Sequence, residues 1–471
     1  MSSYLYELPT TGAVSFADFC HDPTGSYTTQ LANATQARAN LRVALKESKR
    51  ADGEKDHLRL VLDDYLPHLC AIIACVGAGE LVLKSEPVFS WRTTLASTLL
   101  NNSPRLSVPT LHADLAFALL TYAFALSNLA RATAAALGAY ERSRALSEQE
   151  RRAKDDKLNF AVTLLCRASG VFAYVSETVL PQWERGVSGK PGIARPPELN
   201  REVTTALSKM ALMDAQTLAI RKLLTKATAE SAFSPGPPLP KSHPSPALVA
   251  KLHLECAETY ASARALAKTP GASHKPKHPF GLGKKDADDD GAGGGGVASE
   301  LRRYLADEHA LHAALAHKWL GVDAGEAPGG ARAGEAVAFL AWAKRELDEL
   351  GGRGVSVGGG SREDDMRKRR KERVAEEAAS AGVFFKYYKN MNDSLNFQPV
   401  PAQGELQGRI PAGRAAVAPK PFAPPAPAFG PGSAAYAARQ AEELALVDAA
   451  PDAAGPNAAS GRSYAGEGSY F

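Results

Sequence analysis

Gly354-Val355-Ser356-Val357-Gly358 has the spacing of a nucleophile elbow, which holds a serine on a tight strand-to-helix turn beside an oxyanion hole. No apolar strand leads into it and glycines flank it, so a flexible linker is the expectation and a serine hydrolase using Ser356 the remote alternative. His309 and His312 are spaced to share a helix face, where two imidazoles are a candidate metal pair. His317 falls roughly 140° further around a helix of ~3.6 residues per turn, and no carboxylate pattern completes the set. Gly281-Leu282-Gly283-Lys284-Lys285 and the glycines from Gly293 lack the remaining residues of a phosphate-cradling loop. Cys20, Cys70, Cys75, Cys166 and Cys256 include no pair with the spacing of a zinc knuckle or redox motif. A chain without catalytic residues, metal or cofactor, from a reducing compartment, is the expectation.

The densest charge run is Arg367, Lys368, Arg369, Arg370, Lys371 and Arg373, only partly offset by Asp364, Asp365 and Glu372. Three readings are open: a solvated helix face, nuclear import, or contact with an acidic partner or an anionic membrane, where each basic residue contributes ~1 kcal/mol. Across 471 residues, Lys+Arg 55 against Asp+Glu 51 leaves a net charge of +4, without the broad excess of a nucleic-acid footprint. The N-terminal MSSYLYELPTTGAVSF has neither a basic n-region nor a continuous apolar h-region, so no signal peptide is expected. The most membrane-like stretch, Leu115 to Ala130, would reach only ~24 Å at ~1.5 Å per residue, short of a ~30 Å apolar layer. It reads as a buried core helix, and no transmembrane helix is expected.

The elements that must position these groups are helices. Apolar residues recur at three- and four-residue steps, most clearly at Leu158, Ala161, Val162, Leu165, Ala168, Phe172, Val175 and Val179. The same period runs through Leu62, Tyr65, Leu66 and Leu69, through Val203, Leu207, Met210 and Met213, and through Leu301, Leu305, Leu315 and Trp319. Pro- and Gly-rich breakers near 181–199 and 234–246 separate the helices, and Ser245-Pro246 is a helix start because proline's missing N–H costs nothing in the first turn. Segments 269–298 and 351–361 are too poor in apolar side chains to offset the entropy of ordering. Residues 1–422 are therefore expected to form one domain with two flexible insertions, and 423–471 a disordered Pro/Ala/Gly-rich tail. The fold class is mainly α, with irregular, tetratricopeptide-like helical hairpins after a short extended N-terminal segment.

Several strings are similar to the fungal pH-response branch of the BRO-one domain family: EPVFSWRTTL, LLTYAFALSNLARA, LNFAVTLLCRASGVFAYVSETVLPQW, ALSKMALMDAQTLAIRKLL, SHPSPALVAKLHLE, LRRYLADE with HKWLGVDAGE, and KNMNDSLNFQPVP. The resemblance implies a curved helical scaffold that is not an enzyme. It implies binding to the C-terminal amphipathic helix of the core ESCRT-III filament subunit. It further implies a link from the components of a plasma-membrane pH-sensing complex to that machinery, toward proteolytic activation of a zinc-finger transcription factor. The location implied is cytoplasmic, with recruitment to cortical membrane sites or endosomes and peripheral membrane contact. A general endosomal adaptor for cargo sorting is the runner-up.

Carried over string by string, the family's two aliphatic contacts fall on Leu248 and Leu252, with Lys251 beside them. Ala219 and Ile220 stand where relatives can present a phenylalanine, which implies a shallower pocket. Four-residue spacing places both leucines on one helix face, while Val249, Cys256 and Tyr260 can form a separate buried stripe. The residues alone leave open whether Leu248 and Leu252 point outward or belong to the core. Asn396 falls where some relatives carry a phosphorylatable tyrosine.

Overall fold

The computed structural model describes residues 3–48, 55–96, 105–143, 145–189, 193, 195–231, 236–268, 297–352 and 361–449. Ser356 and the glycine-rich loops near 281–296 lie outside them. The extended N-terminal run reaches a single turn, α1 (Phe16–Phe19), then α2 (Thr28–Glu47) and α3 (Lys55–Ala78). A two-residue antiparallel pair, β1 (Cys20–His21) with β2 (Val82–Leu83), ties the flanks of that helix pair together. Next comes the antiparallel hairpin β3 (Val88–Arg92) and β4 (Arg105–Pro109), in register with Ser90 opposite Ser107.

The remaining chain is an array of helices: α4 (Leu111–Ala136), α5 (Glu148–Tyr174), α6 (Leu180–Val187), α7 (Arg201–Ser231), α8 (Pro246–Lys268), α9 (Ser299–Gly325), α10 (Ala333–Gly352) and α11 (Ser361–Met391). A short α12 (Gln403–Gln407) and a final α13 (Ala434–Ala449) follow. From α4 onward each long helix packs on the next, α4 on α5, α5 on α7, and so on to α10 on α11. This is the hairpin succession the periodicity predicts. A capping box at Ser147 and Glu150 starts α5, and a π turn at Val175–Val179 joins it to α6.

By length and composition alone, three helices could cross a bilayer: Val61–Ala78, Leu111–Arg142 and Glu148–Val187. The second is the centre of the fold, since every residue from Ala113 to Ser127 is buried, as expected for a helix that is apolar all round. Two of its buried hydroxyls are satisfied within the helix, Thr121 donating to the Phe117 carbonyl at 2.6 Å and Ser127 to the Ala123 carbonyl at 2.9 Å.

Asp114, in the first turn of α4, gathers the N-terminal half around one buried carboxylate. It accepts from Arg38 of α2 at 2.6 Å, Trp91 of β3 at 2.7 Å and Tyr65 of α3 at 2.5 Å. Arg38 also donates to Thr11 at 2.9 Å, which pins the extended N-terminal run. Both charges are sealed, at 1% and 0% exposure, so losing either partner strands the other away from water.

The ordered chain continues beyond the boundary expected at 422. Phe429 is 6% exposed and packs on Tyr27 at 5.5 Å between ring centroids, and the Ala428 N–H donates to the Pro67 carbonyl at 3.0 Å. Of the insertion expected over 269–298, residues 297 and 298 are described and belong to the fold. Val297 is 1% exposed and pairs with Ala96 as an antiparallel bridge, because an apolar residue at the end of a glycine run can reach the core.

Candidate functional site

Helix α8 begins at Pro246, with Val249 N–H donating to the Ser245 carbonyl at 3.2 Å. Val249, Cys256 and Tyr260 form the expected buried stripe, at 0%, 0% and 1% exposure. The helix lies antiparallel to α7, where the buried Gln216 amide donates to the Leu252 carbonyl at 2.8 Å. One turn onward on α7 and one turn back on α8, Ala219 and Ile220 come opposite Leu248. Of the residues expected to receive a partner helix, Leu248, Lys251 and Leu252 lie on α8 and Ala219 and Ile220 on the neighbouring α7.

Their exposure differs from the expectation. Leu252 and Ile220 are sealed at 3% and 2%, while Leu248, Lys251 and Ala219 are half-buried. The outward orientation expected of both leucines thus holds at most for Leu248. A strap made by residues 409–433 returns across the array and meets α7 and α8 beside this face.

The Arg414 N–H donates to the Lys251 carbonyl at 2.9 Å, and Gln216 clasps the strap from both sides, its Nε2 donating to the Arg414 carbonyl at 3.3 Å and its Oε1 accepting from the Ala416 N–H at 2.9 Å. Further along, the Lys420 N–H donates to the Cys166 carbonyl at 2.9 Å. Two glycines permit this approach. A Cβ on Gly413 would lie 2.6 Å from the Glu255 nitrogen, and one on Gly170 would lie 1.8 Å from the Lys420 carbonyl oxygen. Neither Gln216 nor these glycines was singled out from the sequence. The available signals were a glutamine in an otherwise apolar helix stripe and a glycine inside a Pro/Ala-rich run.

Beneath this face lies a polar layer shared by α7, α8, α9 and α11. Tyr260 and Tyr304 both donate to Asp214 Oδ1, at 2.6 and 2.7 Å, and burial pushes the Asp214 carboxyl up to about 7. His253 and His312 meet through their Nδ1 atoms at 2.8 Å, and His312 Nε2 lies 3.1 Å from the Thr217 hydroxyl. Burial drives His253 down to about 3 and His312 well below the usual imidazole range, so the pair is neutral. His309 turns instead to the Ala257 carbonyl, at 2.9 Å, and His317 stacks on Trp342 with 3.8 Å between centroids. The three histidines weighed as metal ligands are thus engaged separately. All five cysteines are unpaired thiols, and burial pushes Cys256 up to about 12.

The basic run divides between two faces of α11. Arg370 pairs with Asp307 and Arg373 with Glu308 at 3.2 Å, both acids belonging to α9. Those two arginines, for which contact with an anionic membrane is one of three readings open from the sequence, hold α11 against its neighbour. Lys318 and Glu377 add a 2.8 Å ion pair to the same seam. Lys368, Arg369 and Lys371 are exposed and Arg367 is half-buried.

Helix α11 ends in a π turn, Asn392–Asn396, followed by Phe397 in the left-handed region at φ 47°, ψ 31°. That conformation costs a non-glycine residue on the order of 1 kcal/mol. The buried Asn392 holds it, its carbonyl accepting from the Phe397 N–H at 2.7 Å and its side chain exchanging hydrogen bonds with the Gln398 backbone at 2.9 and 3.0 Å. Pro399 sits so close to α10 that a Cβ on Gly334 would lie 2.1 Å from its carbonyl oxygen.

Comparison with known proteins matches this architecture. A family model described as the BRO1-like domain matches residues 17–433, which includes the strap. The chain is 39% identical to the "pH-response regulator protein palC" of Cryptococcus neoformans var. neoformans serotype D (strain B-3501A), over 100% of both chains. It is 24% identical to the protein of the same name from Yarrowia lipolytica (strain CLIB 122 / E 150), over 90% of this chain and 94% of that one. Among solved structures, one described as "Structure basis for endosomal targeting by the Bro1 domain" superposes with a TM-score of 0.52 at 17% identity, covering 89% of this chain and 93% of the other. That likeness establishes the fold.

Proposed function

The chain belongs to the BRO1-like domain family, and from that membership we propose that it is a non-catalytic adaptor in ambient-pH signalling that works with the endosomal sorting machinery. The observation that carries this reading is the 39% identity to a pH-response regulator along the whole of both chains. The adaptor binds the C-terminal amphipathic helix of the core ESCRT-III filament subunit and joins it to the membrane-bound pH-sensing complex. Its output is proteolytic activation of a zinc-finger transcription factor. It acts from the cytoplasm at cortical membrane sites or endosomes.

The docking surface is the α7–α8 face. Leu248 and Ala219 offer the accessible apolar contact, Lys251 receives an acidic side chain, and the sealed Leu252 and Ile220 form the floor under them. An amphipathic helix laid along such a face buries its apolar stripe and keeps its charges at the rim. Two measurements test the reading. Titration with the isolated ESCRT-III helix should give saturable binding that Lys251→Glu weakens. Deletion of the gene should abolish growth at alkaline pH, with rescue by the wild-type chain. Normal alkaline growth combined with defective cargo sorting would instead make the protein a general endosomal adaptor.

A further inference from the structure

Five of the eleven exposed large hydrophobic side chains among the described residues fall between Val383 and Val400, a stretch of only eighteen residues. Leu395 is 65% exposed, Phe397 74% and Val400 53%, and Tyr387 stands 40% exposed on the helix leading to them. Nothing about this turn is loose. Asn392 is 4% exposed and clamps Phe397 and Gln398, and the turn is seated on Gly334 with no room for a side chain between. The fold therefore holds an aromatic residue in a disfavoured backbone conformation while its ring faces water. Burial does not explain that arrangement, whereas contact with something outside the chain does.

The charge around the turn narrows what that contact is. Eighteen residues of helix make about five full turns, so Lys368 lies in line with Lys386, and Arg369 with Tyr387, about 27 Å apart along α11. All of these, with Lys371, are exposed. Two nearby acids are already paired, Glu376 with Arg142 at 3.0 Å and Asp393 with Lys389 at 2.5 Å, and Glu372 stands exposed among the cations that follow Glu363, Asp364 and Asp365. One flank of α11 thus carries the exposed cations Lys368, Arg369, Lys371 and Lys386 and is followed by an apolar turn. A protruding apolar knuckle with cations behind it suits the boundary between acyl chains and anionic headgroups better than it suits a pocketed protein.

We propose that the Leu395–Val400 turn inserts into an anionic lipid surface, with Lys386 and the exposed cations of α11 against its headgroups. This surface is separate from the α7–α8 face, so it can fail while the adaptor reading stands.

The test uses the full chain and vesicles of phosphatidylcholine with or without phosphatidylserine. Phe397→Trp should show blue-shifted emission only with the phosphatidylserine vesicles, quenched by brominated acyl chains. Leu395→Ser combined with Phe397→Gly should weaken vesicle binding at least about tenfold. Glycine accepts φ 47° without strain, so this variant keeps its thermal stability and the loss is not unfolding. Unchanged tryptophan emission on anionic vesicles, or equal binding by the double variant, overturns the proposal. A blue shift produced by a purified protein partner and not by lipid overturns it in favour of a protein dock.

Discussion

Substituting aspartate at Leu252 and at Leu248, one at a time, separates a core residue from a docking residue on the same helix face. Leu252 is 3% exposed, and its burial is worth roughly 1.5–3 kcal/mol. An aspartate there avoids becoming a buried charge only by staying protonated. Holding a carboxyl with an ordinary pKa near 3.9 neutral at pH 7 costs about 4 kcal/mol. The two together come to roughly 6 kcal/mol, comparable with the about 5–15 kcal/mol that keeps a typical domain folded. Leu252→Asp should therefore unfold the domain or leave it barely stable. Leu248 is only half-buried, so its carboxylate can reach water, and the cost falls to about 1 kcal/mol for lost apolar contact.

Urea unfolding followed by circular dichroism reads the stability. Titration with the ESCRT-III helix reads the docking. Leu248→Asp should retain the helical signal and bind at least about tenfold more weakly, since one well-packed leucine contact is worth that much. Wild-type affinity in a folded Leu248→Asp protein refutes the docking surface. Wild-type stability in Leu252→Asp refutes the assignment of that side chain to the core.

Three further outcomes follow from the described contacts. Asp214 has its carboxyl raised to about 7, so the native state holds a proton that the unfolded chain has released above pH ~4. Its stabilising contribution is complete below that pH and is lost as pH rises toward 7; between pH 5 and 7 this amounts to roughly 2 kcal/mol. Asp214→Asn should remove that slope when melting temperatures are compared with wild type at each pH, because the buried neutral His253–His312 pair, which loses stability below pH ~6.5, is common to both proteins; an unchanged slope would show that Asp214 titrates normally. Gly170→Ala should lift the strap where its Cβ meets Lys420, costing about 1–3 kcal/mol and exposing residues 414–430 to limited proteolysis, whereas wild-type protection would mean the strap adjusts freely. Asp114→Ala should cost at least about 3–5 kcal/mol in urea titrations by leaving Arg38 buried without its partner.

Helix positions and the buried face of each long helix were legible because period and burial are two views of one geometry. Val249, Cys256 and Tyr260 are a buried stripe, and Leu301 and Leu305 are core, as their spacing requires. Depth was not legible. Four-residue spacing assigns Leu248 and Leu252 to one face but cannot say which is sealed, because that depends on how neighbouring helices pack against each position. The strap itself has no period to read; its order rests on backbone hydrogen bonds and on glycines that admit close approach. Arg370 and Arg373 were hidden in a linear charge run, since composition does not reveal that Asp307 and Glu308 on α9 face them.

The strap also sets the timing of assembly on the ribosome. Helices α2 and α3 leave the exit tunnel early, yet Tyr27, Pro67 and Cys75 each pack against residues 428–430, with Gly430 fitted so tightly that a Cβ there would meet the Cys75 sulfur at 2.1 Å. At about 5–20 residues per second, the intervening ~350 residues take roughly 20–70 s to synthesise. Through that interval the nascent amino-terminal third presents bare apolar surface and a free thiol. Chains broken off before the strap emerges keep that surface open, which makes them clients for chaperones and proteases.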